Sequence, residues 1–310
     1  MSTLRMGTRG SLLARAQSNQ IADALERAHR GLKVEVNIYK TTGDRVTNRP
    51  LHEFGGKGLF TKEIEEDLLA GKVDFIVHSY KDVPVTMPLV DQSNLTVGAV
   101  PPREDPRDVL VSKIAKSIAE LPKKARVGTG SLRRRCQLLA LRPDLKVELL
   151  RGNVDTRARK GLDGTYDAVV LAMAGLRRSA LFDSECMFPI PLLEMLPAAA
   201  QGALLLQCRQ YDDATRELLS VLNDPRAEQC VALERAIVEA LNGDCHSPIA
   251  VYAECFGSDF LLQATVGRRG GKPPLISAVA RGSCVEVVNE VVSTLLRRGA
   301  VEALGTVQTV

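Results

Sequence analysis

The sequence is poor in aromatic residues: it has no tryptophan, and Phe, Trp and Tyr together make up 4% of the chain. Proteins that bind single-stranded nucleic acid commonly stack bases on aromatic side chains that alternate with basic ones. The net charge is only +4, so no strong overall positive field compensates for the missing aromatics. We therefore expect no nucleic-acid partner.

Other absences argue against a metal site, a disulfide framework and a membrane span. The four histidines, at positions 29, 52, 78 and 246, lack metal-ligand spacing, and none of the seven cysteines forms a Cys-x-x-Cys pair. An odd number of cysteines favours a reducing compartment. No apolar run has the length of a signal-peptide core or a membrane span. These features predict a cytoplasmic protein with no metal and no membrane partner, and we expect a monomer.

Helix-like and strand-like segments alternate through the first part of the chain. Residues 12–29 and 57–70 have apolar side chains at helical spacing, whereas residues 33–39 and 73–77 are typical of strands. Such alternation predicts a mostly parallel sheet. Another buried strand is predicted within residues 197–209.

Two short stretches of this first part occur again, in the same order, further along the chain. Residues 5–11, Arg-Met-Gly-Thr-Arg-Gly-Ser, resemble residues 126–131, Arg-Val-Gly-Thr-Gly-Ser, and each stretch leads into a helix that contains a glutamine. Later, Gly-Lys-Val-Asp at 71–74 is matched by Gly-Thr-Tyr-Asp at 164–167. The repetition predicts two similar α/β domains, like those of periplasmic binding proteins, facing each other across a cleft.

The pattern changes from about residue 224. A helix over 227–241 is followed by strand-like runs at 249–255, 260–267 and 275–281, and by a last helix over 284–298. We predict a small α+β third domain here. The predicted domains are 1–101 with 202–220, 107–197, and 224–310.

Cys245 differs from the other six cysteines in its surroundings. Those six lie in or beside apolar segments, which is typical of small buried hydrophobic residues; they are Cys136, Cys186, Cys208, Cys230, Cys255 and Cys284. Cys245 instead lies between the helix stop at Asn242-Gly243 and Pro248, which predicts a turn. A thiol on a turn can act as a nucleophile or an attachment point, provided that other parts of the chain supply its partners.

Arginines are concentrated between residues 126 and 160, where eight occur. Several stand at helix starts and strand ends, where backbone N–H groups already favour an anion and where open α/β sheets bind ligands. One guanidinium group can donate two parallel hydrogen bonds to the two oxygens of a carboxylate or phosphate. The cluster of arginines therefore predicts a ligand with several anionic groups. For any single arginine, a solvated basic surface is the simpler interpretation.

Asp82 follows the predicted strand 73–77. It should therefore lie at the carboxyl end of that strand, beside the crevice in which open α/β sheets bind ligands. One interpretation is that its carboxylate caps a turn or pairs with Lys81. The alternative is a functional role, in which the carboxylate stabilises a cation or passes a proton to a leaving group.

Five motifs resemble those of the porphobilinogen deaminase family, in the family's order and over nearly the whole chain: residues 78–84, 128–134, 151–157, 174–177 and 243–248. Residues 55–60 and 103–108 add to the match. The resemblance implies a transferase of tetrapyrrole biosynthesis, a hydroxymethylbilane synthase that joins four porphobilinogen molecules with loss of ammonia. It also implies a dipyrromethane cofactor, held by a thioether to Cys245.

The resemblance also implies roles for individual residues. Asp82 would stabilise the positively charged pyrrole formed as ammonia leaves, with Lys81 assisting, and residues 55–60 with Lys57 and Phe60 would form a mobile loop over the cleft. Cofactor and substrate carboxylates would be bound by Arg9, Ser11, Ser131, Arg133, Arg134, Arg151, Arg157 and Arg178.

Two positions depart from the family pattern. Asp244 stands where the family commonly has glycine before the cysteine, and Ala200 replaces the first glycine of a Gly-Gln-Gly segment. The alternative function is a non-catalytic two-lobed protein that binds a carboxylate ligand. Such a protein would need neither Cys245 nor Asp82.

Overall fold

The structure is a computed structural model that describes residues 2–39, 62–85, 94–244 and 246–305. The strands are β1 (Ser2–Arg9), β2 (Leu32–Tyr39), β3 (Phe75–Ser79), β4 (Leu95–Ala99), β5 (Asp108–Val111), β6 (Arg126–Gly128), β7 (Lys146–Glu148), β8 (Ala168–Ala172), β9 (Met187–Pro189), β10 (Leu204–Arg209), β11 (Ile249–Phe256), β12 (Asp259–Arg268) and β13 (Lys272–Gly282). The helices are α1 (Leu12–Ala28), α2 (Lys62–Leu69), α3 (Leu132–Leu141), α4 (Val154–Leu162), α5 (Met173–Arg178), α6 (Asp213–Ser220), α7 (Pro225–Ala240), α8 (Cys284–Arg297) and α9 (Ala300–Leu304).

The chain forms two compact units. The first comprises Met1–Arg103 and Ala203–Glu228, and the second comprises Glu104–Gly202 and Gln229–Val310. The division into three domains, with the boundaries given above, stays a prediction.

The first unit is built on a five-stranded sheet with the order β2-β1-β3-β10-β4. Strand β1 pairs in parallel with β2 and β3, whereas β10 runs antiparallel to both β3 and β4. The helix α1 buries Ile21 and Leu25 against the Met6, Phe75 and Leu206 side chains of the sheet. Burial of this apolar face holds the helix on the sheet, so the start of α1 is fixed close to the end of β1.

The second unit contains a sheet of the same design, with the order β7-β6-β8-β5-β9. Strand β6 is parallel to β7 and β8, and β5 is antiparallel to β8 and β9. Strand by strand, the order and direction match those of the first sheet. The prediction of two similar α/β folds is therefore confirmed.

The prediction of a mostly parallel sheet is confirmed for strand direction, because four of the five strands in each sheet point the same way. One strand in each sheet, β10 or β5, runs antiparallel to both of its neighbours. Strand β10 returns from a remote part of the chain and enters between β3 and β4 in the opposite direction. Alternation of helices and strands predicts the parallel crossovers but not a strand that arrives from elsewhere.

The second unit also holds an antiparallel sheet with the order β11-β12-β13, covered by α8 through the buried Val287, Val291 and Leu295. This agrees with the predicted α+β pattern. The sheet lies close to α3, since a Cβ on Gly267 would come within 2.6 Å of the Cys136 Sγ. The Val251 N–H also donates to the Pro197 carbonyl oxygen at 3.0 Å.

Several predicted boundaries shift. The strand predicted within 197–209 covers only Leu204–Arg209, because Ala200 and Gly202 have φ angles of +60° and +91°, which no strand accommodates. Strand β3 extends to Ser79, so His78 belongs to the strand instead of following it. The helix predicted over 57–70 is described only as Lys62–Leu69, since residues 57–61 lie outside the described residues.

Burial separates the six cysteines that the structure describes into two groups. Cys136, Cys208 and Cys230 are buried as predicted, whereas Cys186, Cys255 and Cys284 are half-buried. The prediction of buried cysteines is therefore right for three of the six. None of the helices in the described ranges combines the length and the apolar character needed to cross a membrane.

Candidate active site

A pocket in the first unit lies where β1 and β3 end and α1 begins. It brings together three of the predicted site residues, Arg9, Ser11 and Asp82. Arg9 is the last residue of β1, and Ser11 caps the N-terminus of α1. Other side chains that line the pocket are those of Leu13, Ala14, Gln17, Ile64, Val77, His78, Ser79 and Val83.

The start of α1 gives this pocket an electropositive wall. The Ser11 Oγ accepts a hydrogen bond from the Ala14 N–H at 3.2 Å, which satisfies one of the helix's unpaired donors. The remaining N–H groups of the first turn and the helix dipole favour an anion. Together with the Arg9 guanidinium, this end of α1 suits a carboxylate.

Asp82 lies on a single 3₁₀ turn, Tyr80–Asp82, directly after β3. The turn is anchored, because the Tyr80 N–H donates to the Ala203 carbonyl oxygen at 3.1 Å and the Tyr80 side chain is buried. The Asp82 carboxylate is exposed and borders the pocket, whereas Lys81 is half-buried on the same turn. The fold therefore holds an accessible carboxylate beside the cationic end of β1.

His78 is buried behind Asp82. Its Nε2 lies 3.0 Å from the Gln207 Oε1 on the neighbouring strand β10. Burial lowers the pKa of His78 to about 4, although Gln207 and the nearby Asp82 favour the protonated ring. At neutral pH the imidazole is therefore uncharged.

In the second unit, the buried Asp108 forms hydrogen bonds with two of the predicted site arginines. Its Oδ2 accepts a hydrogen bond from the Arg133 Nη1 at 2.7 Å, and its Oδ1 accepts from the Arg134 Nη2 at 2.8 Å. The Gln201 Nε2 also donates to Oδ1 at 2.8 Å. Burial by itself would raise the pKa of Asp108, but the two guanidinium groups outweigh it and hold that pKa well below the usual range.

The two guanidinium groups have further contacts to backbone oxygens. Arg133 donates to the Leu196 carbonyl oxygen at 2.6 Å, and Arg134 donates to the Val170 carbonyl oxygen at 2.9 Å. Both side chains are buried. Much of their hydrogen-bonding capacity thus serves the fold, and their role as direct carboxylate ligands stays a prediction.

Arg178, at the end of α5, is a predicted site arginine whose surroundings suit an added anion. Its Nη2 donates to the Gly202 carbonyl oxygen at 2.9 Å, and within the described residues its buried Nε has no hydrogen-bond partner. Burial lowers the pKa of Arg178 to about 10, with Glu104 opposing the shift. A half-buried cation with a buried, unused Nε–H fits a ligand carboxylate.

The other predicted residues of the second unit lie at two helix starts. Ser131 caps α3, with its Oγ accepting from the Arg134 N–H at 3.4 Å. Arg151 is exposed between β7 and α4, and the Arg157 Nε on α4 donates to the Gly152 carbonyl oxygen. Cys245, Lys57 and Phe60 lie outside the described residues.

Comparison with known proteins identifies the family. Residues 4–217 match the family model described as "Porphobilinogen deaminase, dipyromethane cofactor binding domain". The chain belongs to the porphobilinogen deaminase family. Residues 228–297 match that family's C-terminal domain.

Curated porphobilinogen deaminases resemble the chain over almost its whole length. The protein from Xanthomonas axonopodis pv. citri (strain 306) is 45% identical over 307 residues, which covers 98% of this chain and 99% of the relative. That from Brevibacillus brevis is 41% identical over 308 residues, with 99% and 98% covered. That from Roseiflexus sp. (strain RS-1) is 44% identical over 288 residues, with 92% of each chain covered.

Likeness to solved structures outside the family is weak. The methionine-binding protein MetQ is 14% identical, has a TM-score of 0.44, and covers 76% of this chain and 93% of its own. This value bears on neither the fold nor the function.

Membership in the porphobilinogen deaminase family makes the chain an enzyme. It is a transferase of hydroxymethylbilane synthesis, and dipyrromethane is its cofactor. The alternative of a non-catalytic carboxylate-binding protein is thereby set aside. The donors described above fit such a cofactor, whose pyrrole rings carry acetate and propionate groups, because Arg178 retains an unused buried N–H within the described residues.

The structure gives a physical reason for glycine at position 200 in the family. Ala200 is buried with φ +60°, a backbone conformation that glycine adopts without strain. Its N–H donates to the Glu234 Oε2 at 2.6 Å, which helps to hold the alanine in that conformation. Asp244, the other departure, accepts hydrogen bonds from the Ser247 hydroxyl at 2.8 Å and from the His246 N–H at 2.9 Å.

Sequence reasoning missed the buried polar partners of the site. Asp108 opens an apolar strand within the segment 103–108, and a carboxylate at such a position is a signal that it has cationic partners. Gln201 and His78 belong to motifs that were recognised, but no role was assigned to either. Gln207 lies within an apolar strand, and its link to His78 depends on strand pairing that the sequence does not show.

Proposed function

We propose that Asp82 is the catalytic carboxylate, and that it stabilises the positively charged pyrrole formed from the substrate as ammonia leaves. The observation that carries this proposal is the position of Asp82 in the same pocket as Arg9 and Ser11. A carboxylate stabilises a developing cation best where it is held in place before the reaction. The same group can accept and return a proton, with Lys81 assisting.

Substrate and cofactor carboxylates are bound by cations and helix starts in both units. Arg9 and Ser11 serve in the first unit, and Arg178 is a candidate in the second because its half-buried side chain has a buried Nε without a hydrogen-bond partner among the described residues, as Arg133 also has. The remaining proposed ligands are Ser131, Arg133, Arg134, Arg151 and Arg157. Each additional pyrrole adds two carboxylates, which is why the family's chemistry needs several guanidinium groups.

The cofactor is proposed to be attached through a thioether to Cys245. When bound, dipyrromethane supplies the pyrrole carbon to which the first substrate is joined. A 2.8 Å hydrogen bond joins the side chains of Asp244 and Ser247, which flank Cys245 in the sequence. Residues 55–60, with Lys57 and Phe60, are proposed to cover the site.

The setting of the enzyme is also a proposal. The chain acts as a cytoplasmic monomer on the small molecule porphobilinogen, with no nucleic-acid or membrane partner. The small net charge of +4 and the scarcity of aromatic residues support the absence of a nucleic-acid partner.

The Asp82→Asn variant tests the catalytic role. It removes the negative charge but keeps the size of the side chain, so we expect kcat to fall by about 10²-fold or more while the cofactor stays bound. Asp213→Asn, which removes an exposed carboxylate of the same unit that pairs with Arg216 at 3.3 Å, is the control and should keep normal activity. Product formation at the normal rate by Asp82→Asn would contradict the role.

The Cys245→Ser variant tests the attachment site. The intact mass of the wild-type protein should exceed its sequence mass by one dipyrromethane, and the variant should lack this excess because an alcohol is a far weaker nucleophile than a thiolate. Cys255→Ser, which changes a half-buried cysteine of β11, is the control and should keep the adduct. An adduct on Cys245→Ser would place the attachment elsewhere.

A further inference from the structure

A group of three buried polar side chains that the proposed mechanism does not use reaches the pocket at His78. His78 on β3 is hydrogen-bonded to Gln207 on β10, and the Gln207 amide influences the Glu65 carboxyl on α2. All three side chains are buried, with exposed fractions of 2%, 7% and 7%. Burying a polar group costs free energy unless the group is hydrogen-bonded. Three buried polar side chains beside a pocket therefore suggest a functional role.

The strand register places these residues on one face of the sheet. Gln207 pairs with Ile76 and Leu205 pairs with His78, so the glutamine and the histidine are diagonal neighbours across β3 and β10. Ile64 and Ile76 form an apolar cluster on this face. The group of three therefore lies in a hydrophobic layer and ends at the pocket, which the His78 ring borders.

The direction of the hydrogen bonds defines the tautomer of His78. The Gln207 Oε1 can only accept, so the His78 Nε2 at 3.0 Å must carry the proton. The Gln207 amide also favours the ionised form of the nearby Glu65 carboxyl, which suits an orientation with the amide nitrogen towards Glu65 and the amide oxygen towards His78. A neutral ring protonated at Nε2 has a lone pair on Nδ1, and Nδ1 is the ring nitrogen that remains available to the pocket.

We propose that His78 accepts a hydrogen bond through Nδ1 from an N–H group of the substrate, and that Gln207 and Glu65 are positioning residues that keep the ring proton on Nε2. The proposal rests on the proposed function, because it requires the reaction to take place beside Asp82. A neutral acceptor suits this position, since an imidazolium would repel the cation that forms there, whereas a second carboxylate would repel Asp82.

The charges around the ring are consistent with a neutral acceptor. Burial is the largest influence on the pKa of His78 and favours the uncharged ring. Gln207 and Asp82 act in the opposite direction, and Arg9 supports the uncharged form. Burial also raises the pKa of Glu65, with the Gln207 amide opposing this shift.

The His78→Gln and His78→Asn variants separate the two ring nitrogens. In His78→Gln, the amide nitrogen can take the place of Nε2 and donate to Gln207, but no acceptor remains near the Nδ1 position. We expect a fall of about tenfold in kcat/KM, the effect of losing one hydrogen bond, with an unchanged melting temperature. His78→Asn puts an amide oxygen near the Nδ1 position and should recover part of this loss.

Nitrogen NMR of the wild-type holoenzyme, labelled with ¹⁵N-histidine, gives a readout besides activity. The Nδ1 signal of His78, assigned by its loss in His78→Gln or His78→Asn, should have the shift of an unprotonated nitrogen at pH 6. A proton on Nδ1 would overturn the proposal whatever the variants do. Folded His78→Gln with wild-type kcat/KM would overturn it as well.

Gln207→Leu is a second variant for the case in which His78→Gln does not fold. It keeps the imidazole but removes the acceptor that selects the tautomer, so part of the His78 population should move to the Nδ1–H form and kcat/KM should fall. A mixed tautomer with unchanged kcat/KM would refute the role of His78. These outcomes are distinct from failure of the proposed function, which normal turnover by Asp82→Asn would show.

Discussion

At the scale of single residues, the arginines of the second unit differ in what they contact. Arg133 and Arg134 share the buried carboxylate of Asp108, with hydrogen bonds of 2.7 and 2.8 Å, whereas Arg178 contacts a backbone oxygen. Arg133 and Arg178 each have a buried Nε without a hydrogen-bond partner among the described residues. Two guanidinium groups around one carboxylate leave a net positive charge in the interior. Asp108 thus fixes the positions of two cations without neutralising both.

The Asp108→Asn variant should be strongly destabilised. The amide keeps the shape of the carboxyl but leaves two buried guanidinium groups without a counter-charge, and removing one partner of a buried ion pair costs about 3–5 kcal/mol. The urea unfolding midpoint of the second unit should therefore fall sharply. Asp144→Asn, which removes the partner of Arg142 at the surface of the same unit, is the control and should change the midpoint little. Equal midpoints for the two variants would show that the Asp108 charge is dispensable.

At the scale of elements, the two five-stranded sheets repeat each other in detail. In the first unit, the Arg5 N–H donates to the Asp74 Oδ2 at 2.8 Å, and the Asp74 N–H returns a hydrogen bond to the Arg5 carbonyl oxygen at 2.7 Å. Arg126 and Asp167 make the same two bonds in the second unit, at 2.6 and 3.0 Å. The sequence echo between residues 71–74 and 164–167 therefore marks equivalent turns.

The two capped helices repeat as well. Gln17 and Gln137 are buried six residues after the capping serines of α1 and α3. The Gln17 amide bonds the Ser79 hydroxyl at 3.0 Å, and the Gln137 amide bonds the Leu196 carbonyl oxygen at 3.0 Å. In both units a buried amide ties the helix that begins the anion site to a neighbouring segment, so the repeated glutamine is explained by its position.

Segment 200–202 is the loop that joins the arginine sites of the second unit. The Gln201 amide reaches Asp108 at 2.8 Å, and the Gly202 carbonyl oxygen accepts from Arg178 at 2.9 Å. A Cβ on Gly202 would overlap the Glu104 carbonyl oxygen, and φ is +91°. Both the backbone conformation and the close approach require glycine here.

The Gly202→Ala variant should therefore lose more stability than its φ angle alone predicts. Gly164 has φ +84° with open space around its Cβ position, so Gly164→Ala isolates the backbone strain, about 1 kcal/mol. The overlap at Gly202 should add roughly 1–3 kcal/mol. Urea unfolding of both variants measures the difference, and porphobilinogen KM should rise only in Gly202→Ala because the Arg178 contact is displaced. Equal losses of stability in the two variants would mean that the Glu104 backbone moves away from the added Cβ without a loss of free energy.

At the scale of the whole molecule, the first unit is assembled from two separate parts of the chain. Strand β10 lies between β3 and β4, so the sheet is incomplete until residues 204–209 have joined it. The second unit likewise combines Glu104–Gly202 with Gln229–Val310. Neither unit can be cut out as one continuous segment.

Two shortened chains test this arrangement. A chain of residues 1–228 contains every strand of the first sheet, whereas a chain of residues 1–202 lacks β10 and exposes an edge of β3. We expect slow amide exchange over residues 75–79 in the longer chain and fast exchange in the shorter one. Slow exchange in both would show that β10 is not needed for the first sheet.

The sequence by itself determined the family, the chemistry and most elements, because these depend on local patterns: helix starts, apolar periodicity and motifs with specific residue types. It also placed Arg9, Ser11 and Asp82 at element ends, and the structure brings these three into one pocket. Only the tertiary structure decided where β10 enters the sheet, that Arg133 and Arg134 share Asp108, and that the His78 Nε2 contacts Gln207. Those features depend on contacts between residues that are distant in the chain, and burial together with neighbouring charges then shifts the pKa of groups such as His78 and Asp108.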